Sequence, residues 1–498
     1  MTVPRHRLLV ALTAALCFSN VLSAEFTMDD RYNVVENAAI RSLANLPSFF
    51  TEAWGARSDD AFDRGINQGY WRPLSTLSFA LDYALYGPRP SGFHLTNVLL
   101  HVAASVLVLA WLSRLGVGAL GALAASLWWA VHPVHTEAVD VVTYRTELLA
   151  TVAALVGLLV AARPHRPTAG LWLALCYAAG LLSKETAVTL PAWALVVDLL
   201  VLRERGAGVL VRRYAPSVLV LGSYLAIRKA MLTTTSVPFF AELDPLATVA
   251  SVVAIVGLYV RLLLWPWPLI PFYDWSVLPP ATGFWEPHVV VGLVAAALVI
   301  AACVVSVRRA PHVAAGLACA CLGLVPFLHL VPLPVGAGER FLYFASVGAA
   351  LALGAAIDGA LAKRSIRSLV VGVVVVLGTV TLVRNRDWRD DAAIWTAAVR
   401  DFPESFNAQL ALGTLHLEAG DAAAAEVALE AADRLVPGVP RCVAALADAF
   451  VVQGRPSEAL ARVAAAVARR GPSEALDAAA VRARRALLAL EQRVEQPL

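Results

Sequence analysis

Two adjacent aspartates, Asp29 and Asp30, follow closely on the first apolar segment of the chain, Leu8 to Ala24. A carboxylate can act as the general base on a hydroxyl group, or it can hold a divalent cation against a phosphate. Taken alone, an acidic pair beside an apolar segment is more often an ordinary solvated charge. Its meaning depends on which other polar residues the chain brings to the same face of a membrane.

Three further polar clusters stand at the ends of apolar segments. They are His132-Pro133-Val134-His135-Thr136-Glu137 with Arg145 and Glu147, then Ser183-Lys184-Glu185, then Glu339-Arg340. Ionisable groups at the edge of apolar helices are costly to desolvate, so they usually pair or line a wet cavity. Arg145, Lys184 and Arg340 could neutralise a phosphate leaving group, although each could also be an ordinary charge at a helix end. The set suits transfer from a lipid-phosphate donor, with a carboxylate activating the incoming hydroxyl.

A metal site is a weaker interpretation of the same residues. His132, His135 and Glu137 could bind a metal, but they lack the HExxH spacing and a proline follows the first histidine. A divalent cation therefore remains open as a cofactor, and no other cofactor is indicated.

The composition is that of a polytopic membrane protein. Hydrophobic residues make up 59% of the chain and charged residues 15%, against about 25% charged in soluble domains. The net charge of +3 and the lack of a long basic run exclude a nucleic-acid-binding surface. None of the three lysines follows a glycine, so the chain has no Walker A loop. Five of the six cysteines lie in apolar segments, which indicates neither a disulfide framework nor a CxxC metal site.

About 20 apolar residues cross a bilayer as a helix, and on this basis we expect eleven spans. They run near residues 7–24, 93–113, 117–136, 141–162, 168–183, 186–202, 214–231, 287–307, 311–331, 341–362 and 367–384. Residues 246–265 also resemble a span, but Trp265-Pro266-Trp267-Pro268 follows them, and we place them in the membrane interface. The first segment is interpreted as an uncleaved anchor. Arginine-rich short loops then lie inside, and the polar clusters and the first loop, residues 25–92, lie outside.

An internal repeat of 34 residues follows residue 385. Pro403 and Pro437, Gly420 and Gly454, and Ala398, Ala432 and Ala466 recur at this interval. It is the tetratricopeptide period, in which glycine ends the first helix of each pair. A generic alanine-rich helical tail is the simpler interpretation. We expect a membrane domain over residues 1–385 and a repeat domain over residues 386–498.

The motifs, taken together, resemble the transmembrane and tetratricopeptide-repeat O-mannosyltransferases and their bacterial relatives, which are GT-C glycosyltransferases. The resemblance rests on Asp29-Asp30 to Asn37, Trp71-Arg72-Pro73-Leu74, Gly92-Phe93-His94-Leu95-Thr96-Asn97 with His101, His132-Pro133-Val134-His135-Thr136-Glu137-Ala138-Val139, Arg145 with Glu147-Leu148-Leu149, Ser183-Lys184-Glu185, and Glu339-Arg340-Phe341-Leu342-Tyr343. It implies an all-α GT-C fold of about eleven transmembrane helices with a short C-terminal repeat solenoid. It also implies a polyprenyl-phosphate sugar donor, an extracytoplasmic acceptor and inversion at the anomeric carbon.

Carried over by residue, the resemblance makes Asp29 or Asp30 the catalytic base. The donor and substrate site would include further motif residues without fixing their roles: Arg72, His132, His135, Glu137, Arg145, Lys184, Glu185, Glu339 and Arg340. The acceptor could be a protein serine or threonine, a glycan or a lipid. A flippase and a non-catalytic membrane scaffold are the rival functions for a chain of this composition.

The repeat tail departs from the family pattern. It holds about two full units plus fragments, where about three are usually needed for independent stability. Acceptor recognition by the tail is accordingly open, and it could cap the membrane domain or dock one protein partner. The expected location is the inner membrane of a bacterium, surrounded by lipid, with the site and the repeats outside.

Overall fold

The computed structural model describes residues 2–54, 70–162, 168–232, 238–331 and 333–495. The described chain forms an all-α protein, as the family resemblance implies. It divides into two compact units: Met1–Trp267 with Pro280–Asp390, and Pro268–Pro279 with Asp391–Leu498. The second unit thus begins within a few residues of the boundary expected at 385, and it also takes in a short segment from the middle of the chain.

The first unit contains fifteen helices within the described residues. They are α1 (Thr2–Cys17), α2 (Leu46–Thr51), α3 (Pro73–Tyr86), α4 (Pro90–Arg114), α5 (Ala119–Ala130), α6 (Thr136–Asp140), α7 (Arg145–Ala161), α8 (Ala169–Leu181), α9 (Leu190–Val197), α10 (Ala207–Met231), α11 (Pro245–Leu264), α12 (Pro287–Arg309), α13 (Pro311–Leu324), α14 (Leu342–Ile357) and α15 (Arg364–Asp387). Short 3₁₀ turns precede several of them, and three carry site residues: Val142–Tyr144, Glu185–Thr189 and Glu339–Phe341.

Eight helical stretches of the described chain are long and apolar enough to cross a membrane. Three shorter apolar helical stretches lie at Ala119–Ala130, Ala169–Leu181 and Pro311–Phe327. Each of the eleven predicted spans overlaps one of the helices. The span expected over 117–136 is shorter than predicted, because α5 ends at Ala130 and Pro133 starts a separate turn. The chain is an integral membrane protein.

Helix α11 is 20 residues long and is one of the eight candidates, although we predicted an interfacial position for it. Two of its polar contacts are with residues outside the helix, one before α12 and one after α5. The hydroxyl of Ser251 accepts the amide proton of Ala281, and the carbonyl of Leu263 lies 3.2 Å from Nε2 of His132. The length and apolar character of α11 also fit a membrane span, so its interfacial placement stays a prediction.

Close contacts between small residues fix helix α14, whose preceding turn carries Glu339 and Arg340. A Cβ atom on Gly316 of α13 would lie 2.4 Å from the backbone nitrogen of Ala352, and one on Gly354 would lie 3.0 Å from the carbonyl oxygen of Gly121 in α5. Backbones that approach this closely are typical of helix packing in membranes. Helix α14 is therefore held by neighbours on two sides, and so is the turn at its start.

The second unit contains paired helices that repeat every 34 residues. They are α16 (Asp391–Asp401), α17 (Phe406–Glu418), α18 (Ala422–Leu435), α19 (Pro440–Val452), α20 (Pro456–Arg470) and α21 (Glu474–Glu495). Helices α17, α19 and α21 begin 34 residues apart, as do α18 and α20.

The turn glycines of this unit behave as the repeat predicts. Gly420 and Gly454 follow the first helix of their pairs with φ of 81° and 76°, a conformation that favours glycine. Asp274, in the segment Pro268–Pro279 of this unit, accepts hydrogen bonds from the Ser405 hydroxyl at 2.8 Å and from the backbone amide of Asn407 at 2.9 Å. The repeat geometry is that of paired helices, and the tetratricopeptide assignment stays a prediction.

Candidate active site

Asp29 and Asp30 have opposite environments although they are adjacent. Asp30 is fully buried, and its carboxylate accepts the amide protons of Thr27 at 3.2 Å, Val142 at 3.1 Å and Thr143 at 2.6 Å. Burial raises the pKa of Asp30 to about 7, and the backbone hydrogen bonds oppose this shift. Asp30 therefore holds the turn that connects α6 to α7, and it is not accessible to a substrate.

Asp29 is only half-buried, and its carboxylate accepts one hydrogen bond from the Tyr144 hydroxyl at 3.0 Å. Tyr144 ends the turn that Asp30 holds. Of the two aspartates, Asp29 is thus the one that a substrate hydroxyl can reach.

Arg340 lies over the face of the Tyr144 ring. The guanidinium carbon is 4.2 Å from the ring centre, a distance at which the face of an aromatic ring attracts a cation. Glu137 is buried and fixes Arg340 twice, by accepting its backbone amide proton at 2.7 Å and by pairing with its guanidinium. Because Glu137 is occupied in this way, it positions a cation and is not free to bind a metal.

Lys184 supplies a second cation close to the first. Its ammonium pairs with Glu147 at 2.5 Å and lies 5.7 Å from the ring centre of Phe341, the residue after Arg340. Glu147 also accepts the hydroxyl proton of Thr186 at 3.1 Å. Burial lowers the pKa of Lys184 to about 8, although Glu147 favours the charged form. Lys184 is therefore still mostly charged at neutral pH.

Two arginines share the carboxylate of Glu185. Arg72 donates to it at 2.9 and 3.1 Å, and a guanidinium nitrogen of Arg228 lies 4.0 Å away. Arg72 also stacks on Tyr70, with 4.4 Å between the guanidinium carbon and the ring centre. Arg228 was not among the residues predicted from the sequence.

Tyr70 shows that these groups lie around one space. Burial raises the pKa of its phenol, and several nearby charges act on it: those of Arg72, Glu185, Arg340 and Asp29. The site thus gathers four cations, Arg72, Lys184, Arg228 and Arg340, against three carboxylates that hold them, Glu137, Glu147 and Glu185. The four cations suit a phosphate, and Asp29 is the fourth carboxylate of the group.

Arg145 is not directed to this space. It is fully buried, pairs with Asp82 at 2.5 Å, and donates to the side-chain oxygen of Asn97 at 2.6 Å and to the carbonyl of Phe93 at 2.8 Å. All of these partners belong to α3 and α4. We therefore remove Arg145 from the expected phosphate-binding group and regard it as a structural residue.

The predicted site histidines, His132 and His135, lie in a buried aromatic cluster. Nε2 of His135 is 3.1 Å from the hydroxyl of Ser346, and its ring lies 4.6 Å from Trp129 and 4.9 Å from Tyr343 between centres. His132 contacts the carbonyl of Leu263, and burial lowers its pKa to about 4. The cluster joins α5, α11 and α14.

Glu339 is buried at the start of the turn before α14. Within the described part of the chain, no group of three or more histidine, cysteine, aspartate or glutamate side chains could hold a metal ion.

Comparison with known proteins agrees with the motif resemblance. No family model matches the chain. The chain is 35% identical over 296 residues to the protein O-mannosyl-transferase Tmtc2 of Drosophila melanogaster, over 55% of this chain and 31% of the relative. It is 25% identical over 495 residues to the protein O-mannosyl-transferase TMTC4 of Mus musculus, over 84% of this chain and 65% of the relative. The predicted similarity to O-mannosyltransferases is confirmed, while the chain spans less than two thirds of these relatives.

A solved structure also aligns over most of the chain. It is ArnT from Cupriavidus metallidurans bound to undecaprenyl phosphate, with 15% identity, coverage of 94% of this chain and 81% of the other, and a TM-score of 0.40.

Proposed function

We propose that the protein is a membrane glycosyltransferase of the GT-C type. It moves a sugar, with mannose as the first candidate, from a polyprenyl-phosphate donor to a hydroxyl group of an acceptor outside the cytoplasm. Serine or threonine of a protein is the acceptor we favour. The observation that carries the proposal is an accessible carboxylate, Asp29, that shares a contact residue, Tyr144, with the cation Arg340.

The reaction is a single displacement at the anomeric carbon. The acceptor oxygen forms the new bond to this carbon while its proton passes to Asp29. The bond between the anomeric carbon and the phosphate oxygen breaks, and its electron pair leaves with the polyprenyl phosphate. A general base of this kind contributes about 10²–10⁴-fold to the rate.

The cations stabilise the charge that develops on the departing phosphate. Arg340 and Lys184 are held by buried carboxylates, so they need little reorganisation when the charge appears. Arg72 and Arg228 extend the same positive surface from the side of Glu185. We assign the donor phosphate to these four residues.

The relatives support this choice of reaction. They are named protein O-mannosyl-transferases, which supports mannose as the sugar and a protein as the acceptor. Asp29, Lys184 and Arg340 follow or precede apolar helices at positions that match the family motifs.

The arginine-rich loops support an orientation in which the site faces out of the cytoplasm, and we propose the inner membrane of a bacterium as the location. The helix pairs of the second unit offer a surface for one protein partner. Acceptor choice is the property we expect the repeats to influence.

A deletion strain tests the proposal. Removal of the gene should abolish mannose on a set of envelope proteins, and wild-type protein should restore it while Asp29→Asn should not. Glu36→Gln is the matched control, because Glu36 lies in the same loop and pairs with Arg31 at 2.8 Å. Loss of a glycolipid or a polysaccharide instead would identify a different acceptor class. Full restoration by Asp29→Asn would contradict a transferase that uses this base.

A further inference from the structure

We infer that Tyr144 is a positioning residue that orients the catalytic base with its hydroxyl and supports the donor-side cation with its ring. The inference rests on the proposed function, because it assigns Tyr144 a part in that same site. No sequence motif singled out this tyrosine. It follows from the contacts of its hydroxyl and of its ring face.

The hydroxyl of Tyr144 orients the base. It donates to Oδ2 of Asp29 at 3.0 Å, which fixes the plane of the carboxylate and leaves Oδ1 to take the proton of the acceptor. A hydrogen bond to a charged group is stronger than one between neutral groups, so it limits rotation of a half-buried side chain effectively. Asp29 is thus aimed before the acceptor binds.

The ring of Tyr144 supports the donor-side cation. Arg340 lies over the ring with its guanidinium carbon 4.2 Å from the centre, and its ion pair is with Glu137. Tyr144 therefore contacts both charged groups of the proposed site, Asp29 through its hydroxyl and Arg340 through the face of its ring.

Tyr144 is itself rigidly placed. Its side chain is buried, and it ends the turn whose Val142 and Thr143 amides donate to Asp30. Asp30 thus fixes the backbone of this turn, and Tyr144 returns a hydrogen bond to Asp29. The two adjacent aspartates therefore have different roles: Asp30 holds the backbone of the turn, and Asp29 is oriented by Tyr144 at its end.

The full-length protein, purified in detergent, tests the inference with undecaprenyl-phosphate [³H]mannose as the probe donor and envelope proteins of the deletion strain as acceptor. Tyr144→Phe keeps the ring and removes the hydroxyl, so kcat should fall about 10- to 100-fold while the donor KM stays within about twofold. Tyr144→Leu also removes the ring, and the donor KM should then rise about tenfold as Arg340 loses its support. A fall in kcat without a change in donor KM in Tyr144→Phe distinguishes positioning from a general loss of structure, which would change both.

Tyr214→Phe is the matched control, because its hydroxyl also donates to a carboxylate, Asp198, at 2.7 Å. Glu185–Leu202 is one helical stretch of 18 residues, so Asp198 lies about 20 Å along it from Glu185. This variant should keep wild-type kcat. An unchanged kcat in Tyr144→Phe, an effect on donor KM alone, or an equal loss in both Phe variants would overturn the inference.

Asp29→Asn in the same assay keeps the two proposals distinguishable. If Asp29→Asn is inactive and Tyr144→Phe has normal kcat, the inference about Tyr144 is wrong and the proposed function stands. If Asp29→Asn transfers mannose at the wild-type rate, the proposed base is wrong, and the role of Tyr144 is overturned with it.

Discussion

Glu137 and Arg340 are joined twice, through the backbone amide of Arg340 at 2.7 Å and through its guanidinium. The pair connects α6 to the turn before α14 across 203 residues of sequence. Since Glu137 is buried and Arg340 is only 13% exposed, the cation is fixed before any donor binds. Fixed charges aimed at a developing charge are a large source of rate acceleration in enzymes.

Asp30 should give the protein a pH-dependent stability. Its pKa of about 7 in the folded state lies above the ordinary value of 3.8, so its stabilising contribution is complete below about pH 4 and is lost as the pH rises through 7. Asp30→Asn removes this titration. We expect the Tm of the wild type to fall relative to that of Asp30→Asn between pH 5 and pH 8, measured by thermal unfolding in detergent. A wild-type Tm that rises relative to the variant over this range would mean that the amides hold Asp30 as an anion.

Lys184 should make donor binding sensitive to alkaline pH. The pKa of about 8 means that its charge is lost as the pH rises from 7 to 9, and with it the attraction for the donor phosphate. The donor KM should therefore rise over this range in the wild type, and Lys184→Arg should remove most of the rise because arginine stays charged. The same rise in Lys184→Arg would assign the titration to another group.

Arg228 should contribute to donor binding although it stands near the end of a long helix. Arg228→Ala removes a cation that lies 4.0 Å from Glu185, and we expect the donor KM to rise about tenfold with little change in kcat. Arg212→Ala is the matched control on the same helix, because Arg212 is exposed and donates to the carbonyl of Gly208. Equal effects of the two variants would remove Arg228 from the site.

Arg145 should act on stability and not on the donor. Arg145→Met leaves the buried carboxylate of Asp82 without its ion partner, which costs about 3–5 kcal/mol of unfolding free energy. Adding Asp82→Leu should recover part of this loss, because the pair is then replaced by apolar side chains. The measurements are the Tm and the donor KM of folded protein. A normal Tm with a raised donor KM would return Arg145 to the phosphate group.

The sequence predicts the membrane helices from the length of its apolar segments. It also predicts a site, because charged residues at the ends of these segments are costly to desolvate and therefore tend to pair or line a wet cavity. The structure brings three of these residues close together, Asp29, Lys184 and Arg340, and their roles stay predictions. The 34-residue repeat likewise predicts where α17, α19 and α21 begin.

The assignment of roles requires the tertiary structure. Asp29 and Asp30 are distinguished by the amides of Val142 and Thr143, more than 110 residues away in sequence. Arg145 matches a motif position, as Arg340 does. Its ion partner Asp82 lies on another helix, and no local sequence pattern predicts that pair. Arg228 stands next to Lys229 near the end of α10 and looks like an ordinary interfacial charge. Tyr144 carries no charge, so a search for ionisable clusters passes over it.

The most direct test of Asp29 as the base is the initial rate of mannose transfer from undecaprenyl-phosphate [³H]mannose by purified Asp29→Asn, measured beside wild type and Glu36→Gln. An amide at position 29 cannot take the proton of the acceptor hydroxyl, so we predict a rate at least about 100-fold below wild type with an unchanged Tm. Glu36→Gln should keep the wild-type rate. Transfer by Asp29→Asn at the wild-type rate would contradict the assignment of Asp29 as the base.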